Sequence, residues 1–169
     1  MARPILQTDA ALPLEAGTRV AIIASTYHGE LVGAMVDSAR NVLRAAGLED
    51  QNLIQVKAPG AFELPLVAQT LLDGGNLSAV LCFGLVLKGQ TDHDRYISTS
   101  VSDALMRIGL EHGVPVMFGL LTCNTLEQAE RRADAEGLDK GGEVARATVQ
   151  MLNLLGELQS GRGEETSPE

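Results

Sequence analysis

The residues best suited to chemistry lie in one run, Lys88-Gly89-Gln90-Thr91-Asp92-His93. It follows an apolar stretch, and Gly89 permits a tight turn there. Gln90 and Thr91 then lead into a predicted helix. The free amides at a helix N-terminus attract an anion, and a threonine hydroxyl adds a donor. A histidine in the first turn, His93, can exchange protons near neutral pH. The plainer reading is a strand–helix turn capped by Thr91, with His93 merely exposed.

A second run, Ala58-Pro59-Gly60-Ala61-Phe62-Glu63, sets a fixed φ at Pro59 beside a free one at Gly60. Gly60 and Ala61 would let a flat ligand approach the backbone. Glu63 would accept hydrogen bonds from ligand hydroxyls, or simply complement a helix dipole. Tyr27 is one of five aromatic residues in the chain, two Tyr and three Phe. It can stack on a heterocycle or pack on the next loop. Phe118 falls inside an apolar run, where core packing is the default. Arg131, Arg132 and Lys140 put bases on and after a helix; they read as an anion site or as a solvated face. His28 and His112 have no partner that the sequence identifies, although His112 before Gly113 suits a helix C-terminus. There is no GxGxxG, no GxxxxGK[ST], no HExxH and no paired CxxC. The three histidines have no metal-ligand spacing. A Cys–His nucleophile is conceivable on paper, but Cys123 has no evident base.

The hydrophobic period alternates along the chain. Short β-branched runs at 19–25, 53–57, 78–87 and 114–121 predict four buried strands. Apolar residues at helical spacing follow each of them: Leu31 to Ala46, Phe62 to Leu71, Ile97 to Ile108, and a helix opened by two overlapping capping boxes at Asn124 and Thr125. A last helix is predicted over 142–158. Strands alternating with helices imply a parallel sheet covered on both faces, a three-layer αβα sandwich. Ligands bind such folds beyond the carboxyl ends of the strands. Four loops are therefore expected to meet there: 26–28, 58–63, 88–93 and 122–124. Residues 1–18 read as an N-terminal arm with a short extended piece near Ile5, 19–158 as one domain, and 159–169 as a disordered acidic tail.

Length and composition agree with a single soluble domain. The chain has 169 residues, 45% hydrophobic and 21% charged. Its net charge of −9 repels phosphate backbones, and 3% aromatics without Trp offers no base-stacking surface, so nucleic-acid binding is not expected. The two cysteines, Cys82 and Cys123, sit in apolar runs and read as buried free thiols. No run is long enough for a membrane span, and no stretch reads as a signal peptide, so a cytoplasmic protein is expected.

Four segments in order, APGAFELPL from Ala58, GLVLKGQTDHDRYIS from Gly84, FGLLTCNTLEQAERRA from Phe118 and DKG from Asp139, resemble the 6,7-dimethyl-8-ribityllumazine synthases. The resemblance implies a flavodoxin-like sandwich with a four-stranded parallel sheet. It implies condensation of 5-amino-6-ribitylaminouracil with 3,4-dihydroxy-2-butanone 4-phosphate, with release of phosphate and water and with no cofactor or metal. By resemblance His93 is the general acid/base, and Arg132 holds the phosphate with Gln90 and Thr91. Tyr27 stacks on the pyrimidine, while Ala61 and Glu63 contact the ribityl chain. Gly60, Phe62, Val86, Leu87 and Lys88 complete the substrate-binding set. Phe118, Arg132 and Lys140 match groups that the family brings in from a neighbouring subunit. The resemblance thus implies a homo-oligomer built on pentamers, which some members assemble by twelves into a shell, with riboflavin synthase as a candidate partner. Tyr27-His28 stands where the family commonly has Phe-Asn or Trp-Asn, and Cys123-Asn124 and Asp94-Arg95 also depart from its pattern. The competing readings are a catalytically weak domain that binds flavin or lumazine, and a shell-forming paralogue.

Overall fold

Residues 13–163 are described in the computed structural model. Four strands, β1 (Val20–Ser25), β2 (Leu53–Ala58), β3 (Ala79–Leu87) and β4 (Val116–Cys123), form one sheet in the order β2-β1-β3-β4. All three pairings are parallel. The helices are α1 (Gly29–Ala45), α2 (Leu64–Asp73), α3 (His93–His112), α4 (Leu126–Ala133) and α5 (Lys140–Gly163). Alternate residues of each strand face opposite sides. Val20 and Ile22 of β1 and Leu81 and Phe83 of β3 join a core with α1, α4 and α5. Ala21 and Ile23, with Val80 and Cys82, join a second core under α2 and α3. The expected three-layer sandwich is therefore the observed one.

The differences from the expected boundaries have local causes. β4 starts at Val116, not at Val114, because the Val114 amide still donates to the Gly109 carbonyl of α3 at 3.1 Å and Pro115 has no amide to donate. It continues through Thr122 and Cys123, since β3 offers Val86 and Leu87 as partners. Of the two capping boxes, the structure uses Thr125. Its hydroxyl accepts from the Gln128 amide at 3.2 Å, and the Gln128 side chain reaches back to the Asn124 amide at 3.0 Å. Helix α5 begins two residues before Gly142 and passes Leu158 to end at Gly163, so residues 159–163 of the expected tail are helical. The rest of that tail, and the extended piece expected near Ile5, lie outside the described residues.

Gly119 shows how tightly β3 and β4 pack. A Cβ there would lie 2.5 Å from Cδ1 of Phe83, its register partner and a fully buried ring. Gly119→Ala is expected to cost about 1–3 kcal/mol through overpacking, read as a lowered Tm. An unchanged Tm would mean that the ring has room to move.

His112, left without a partner by the sequence, has two. Its Nδ1 lies 2.9 Å from the Ile108 carbonyl and its Nε2 3.0 Å from Asp73 Oδ1. Both partners are acceptors, so only the imidazolium satisfies both. The Asp73 hydrogen bond, then the Ile108 carbonyl, hold its pKa above the ordinary value. The contact therefore adds stability below about pH 6.5, the ordinary histidine value, and loses it as pH rises through the raised folded-state value. The Tm difference between the wild type and His112→Asn should shrink across that rise. A difference independent of pH would contradict it.

Candidate active site

The sheet order reverses direction at β1, which has β2 on one side and β3 on the other. Beyond the carboxyl ends of these strands lies an open cavity of about 860 Å³. That is the position where folds of this order leave a crevice. Three of the four expected loops build it. The first, Thr26 to His28, is tied to the second: the Thr26 amide donates to the Ala58 carbonyl at 2.9 Å, and its hydroxyl to the Pro59 carbonyl at 2.8 Å. The third leaves β3 at Lys88, whose amide donates to the Cys123 carbonyl at 2.9 Å. The fourth loop shrinks, because Thr122 and Cys123 are strand residues, and it does not line the cavity.

Nine of the expected site residues meet there. Tyr27 stands at the rim, 71% exposed. Gly60, Ala61, Phe62 and Glu63 form one wall, and Val86, Leu87 and Lys88 the strand end opposite. His93 enters from the first position of α3. Asp92, not Thr91, occupies the flanking position of that helix, and no side chain caps it. Gly60 serves the wall differently from the expectation. Its φ of −149° is extended backbone open to any residue. What the glycine provides is space, since a Cβ would lie 3.0 Å from Glu63 Oε2.

Six residues not chosen for the site from the sequence also line the cavity: His28, Leu85, Gly89, Tyr96, Ile97 and Ser100. The last three lie three, four and seven residues beyond His93, on the same helical face. That spacing was readable, but Ile97 looked like core and Tyr96 fell next to charged residues. His28 flanks α1 with a left-handed backbone, φ 55°, and makes no capping bond. Its ring meets Tyr27 edge to face, with centroids 5.1 Å apart and planes at 87°. It therefore helps to set the orientation of Tyr27.

Gln90, Thr91, Phe118, Arg132 and Lys140 do not line this cavity within one chain. Phe118 is 42% exposed on edge strand β4, so it is not the core residue that its apolar run suggested. Arg132 lies in the last turn of α4, where its Nη1 donates to the Gln128 carbonyl at 3.1 Å. Lys140 opens α5, with Nζ 2.6 Å from Glu143 Oε1.

Both cysteines are free and buried, as expected. Burial pushes the Cys82 thiol up to about 12. Burial also raises Cys123, against the opposing pull of Arg132. Neither is a thiolate at neutral pH, which removes the Cys–His nucleophile. Among the described residues no His, Cys, Asp or Glu side chains cluster as a metal-binding set.

The cavity thus offers an imidazole, a carboxylate, an aromatic rim and an apolar strand end, an arrangement that can hold a small polar molecule with a flat ring. Comparison with known proteins points the same way. The family model for 6,7-dimethyl-8-ribityllumazine synthase matches residues 17–156. A protein of that name from Desulfovibrio desulfuricans is 37% identical over 142 residues, 84% of this chain and 91% of the relative. One from Desulfatibacillum aliphaticivorans is 36% identical over 138 residues, 82% and 89% of the two chains. A third, from Halorhodospira halophila, is 34% identical over 142 residues, again 84% and 91%. The chain belongs to the 6,7-dimethyl-8-ribityllumazine synthase family, transferases of riboflavin biosynthesis.

Proposed function

We propose that this chain condenses 5-amino-6-ribitylaminouracil with 3,4-dihydroxy-2-butanone 4-phosphate at this cavity, each site being completed by a neighbouring copy. The uracil amine attacks the ketone and loses water to form an imine. Phosphate leaves by elimination, the enol tautomerises, and the ribitylamino nitrogen closes the ring with loss of a second water. His93, on the wall of the cavity, moves the protons that these steps require. Tyr27 stacks on the pyrimidine, with His28 against its edge. Glu63 and the Ala61 backbone hold the ribityl hydroxyls, with Gly60 and Phe62 beside them. Val86, Leu87 and Lys88 form the floor. The single observation that carries the reading is that nine of the residues expected from the family pattern converge on one cavity at the sheet's reversal point.

The neighbour supplies Arg132 to the phosphate, with Gln90 and Thr91 of the chain that carries His93. It also brings Phe118 against the ring and Lys140 as a second cation for bound substrate. The exposed position of Phe118 and the half-buried one of Arg132, both away from the chain's own cavity, support this division. Large apolar side chains left exposed on α2 and α3, among them Leu66, Met106 and Leu110, are in keeping with a neighbouring copy. A pentamer is the assembly proposed, with a shell of twelve pentamers as its larger form. A cytoplasmic location is supported by the two unpaired cysteines. Riboflavin synthase, as consumer of the product, is the candidate partner.

The test is absorbance at the lumazine band after mixing the protein with both substrates, beside a control without protein. Product forming in proportion to protein, above the uncatalysed rate, is expected. Binding of a product analogue without such turnover would favour the binding-domain reading, which does not require His93.

A further inference from the structure

A second polar cluster lies outside the cavity, where the connector after α4 meets α1 and the start of α5. Residues 134–139 fold back on α4. The Leu138 amide donates to the Arg131 carbonyl at 2.9 Å, and the Gly137 and Asp139 amides both donate to the Asp134 carbonyl at 3.0 Å. Asp139 has a left-handed backbone, φ 45°. Its Oδ1 accepts from the Ser38 hydroxyl of α1 and from the Gly142 amide, and its Oδ2 from Arg146 Nη2 at 3.2 Å. One carboxylate therefore joins α1, the connector and α5. Burial alone would push that carboxyl up; the bonds from Ser38, Gly142 and Arg146 outweigh it and hold it below the usual range.

The helix that this carboxylate caps violates local preference. The positive end of a helix dipole disfavours a cation, yet α5 opens on Lys140. Two glycines follow, and glycine is a poor helix former. Close approach explains the glycines. A Cβ on Gly141 would lie 2.1 Å from the Met35 carbonyl oxygen of α1, and one on Gly142 2.1 Å from Asp139 Oδ2. The first turn of α5 is thus pressed against α1 and against the cap, and Lys140 directly precedes the two glycines that make the contact. Glu143, one turn on, is the partner of its ammonium.

We propose that Asp139 is a positioning residue, whose clasp of Ser38, Gly142 and Arg146 fixes where Lys140 leaves α5 and so sets how well Lys140 serves the neighbouring site. The inference rests on the role proposed above for Lys140, and the experiment separates the two. Lys140→Ala, Asp139→Gly and the double variant are compared by KM for each substrate, kcat and oligomer size. Glycine keeps the left-handed backbone available while removing the carboxylate.

Lys140→Ala should raise the KM of one substrate. Asp139→Gly should raise that same KM about three- to tenfold, the scale of coupling within one hydrogen-bond network. The double variant should match Lys140→Ala alone. Ser38→Ala, a milder change on α1, should move the same KM in the same direction, and it carries the test if Asp139→Gly does not assemble. A double variant worse than Lys140→Ala, by the full effect of Asp139→Gly, would overturn the positioning role while leaving that of Lys140 intact. Lys140→Ala with both KM values unchanged would overturn the role of Lys140, and the clasp's role with it.

Discussion

Replacing His93 with alanine is expected to lower kcat by about 10- to 100-fold while leaving the oligomer intact. General acid–base catalysis ordinarily contributes about 10²–10⁴-fold. A loss at or below the lower end of that range is expected here because the condensation proceeds slowly without an enzyme, which limits how much rate can be lost. His93 sits at the first position of α3 and is exposed to the cavity, so its removal opens no hole in either core. KM for both substrates should change little, because proton transfer is needed in the transition states more than in the bound ground state. Steady-state kinetics with both substrates, beside native mass measurement, checks both parts. Turnover like that of the wild type would remove His93 from the chemistry.

Arg132→Ala is expected to act on the other kinetic parameter. A charge-assisted hydrogen bond contributes about 1.5–3 kcal/mol. At about 1.4 kcal/mol per tenfold, its loss raises KM for the phosphate substrate by about 10- to 100-fold. KM for the ribitylaminouracil should stay nearly constant, since that substrate carries no phosphate. Arg132→Lys should restore only part of the affinity, because an ammonium cannot grip two phosphate oxygens in one plane. The Arg132 side chain makes a single bond to its own helix, to the Gln128 carbonyl, so its loss should cost little stability. An unchanged KM for the phosphate substrate would reject Arg132 as its anchor.

The fold was legible because the core residues obey simple periods. β1 and β3 read as apolar runs because both of their faces are buried, and α1 shows its inward stripe at Val32, Met35, Val36, Ala39 and Leu43. The boundaries were less legible where a long-range partner decides them. β4 runs on to Cys123 only because β3 lies beside it. The start of α5 was hidden because Lys140, Gly141 and Gly142 look like a loop, and only contact with α1 explains them. Within the site, the loops at Tyr27, Gly60 and His93 were legible from strand–helix order alone. Tyr96 and Ser100 were legible in principle, at helical spacing from His93. The bond of His112 to Asp73 spans 39 residues and has no local signal. Arg132 and Lys140 pointed only to an anion site or a solvated face; their assignment to a neighbour's cavity came from the family pattern, because a partner's surface leaves no period in a chain's own sequence.

The central claim is that the cavity with His93 is completed by Arg132 of a neighbouring copy. Co-expression of His93→Ala and Arg132→Ala chains with different tags, followed by purification of oligomers carrying both, tests it directly. Each variant alone should be slow at low phosphate-substrate concentration. In a random mixture about a quarter of the interfaces pair an intact His93 with an intact Arg132, as expected for a cyclic assembly. Mixed oligomers should therefore recover about that share of wild-type activity. Mixed oligomers no more active than the two variants measured separately would place both residues in one chain's site and contradict the shared site.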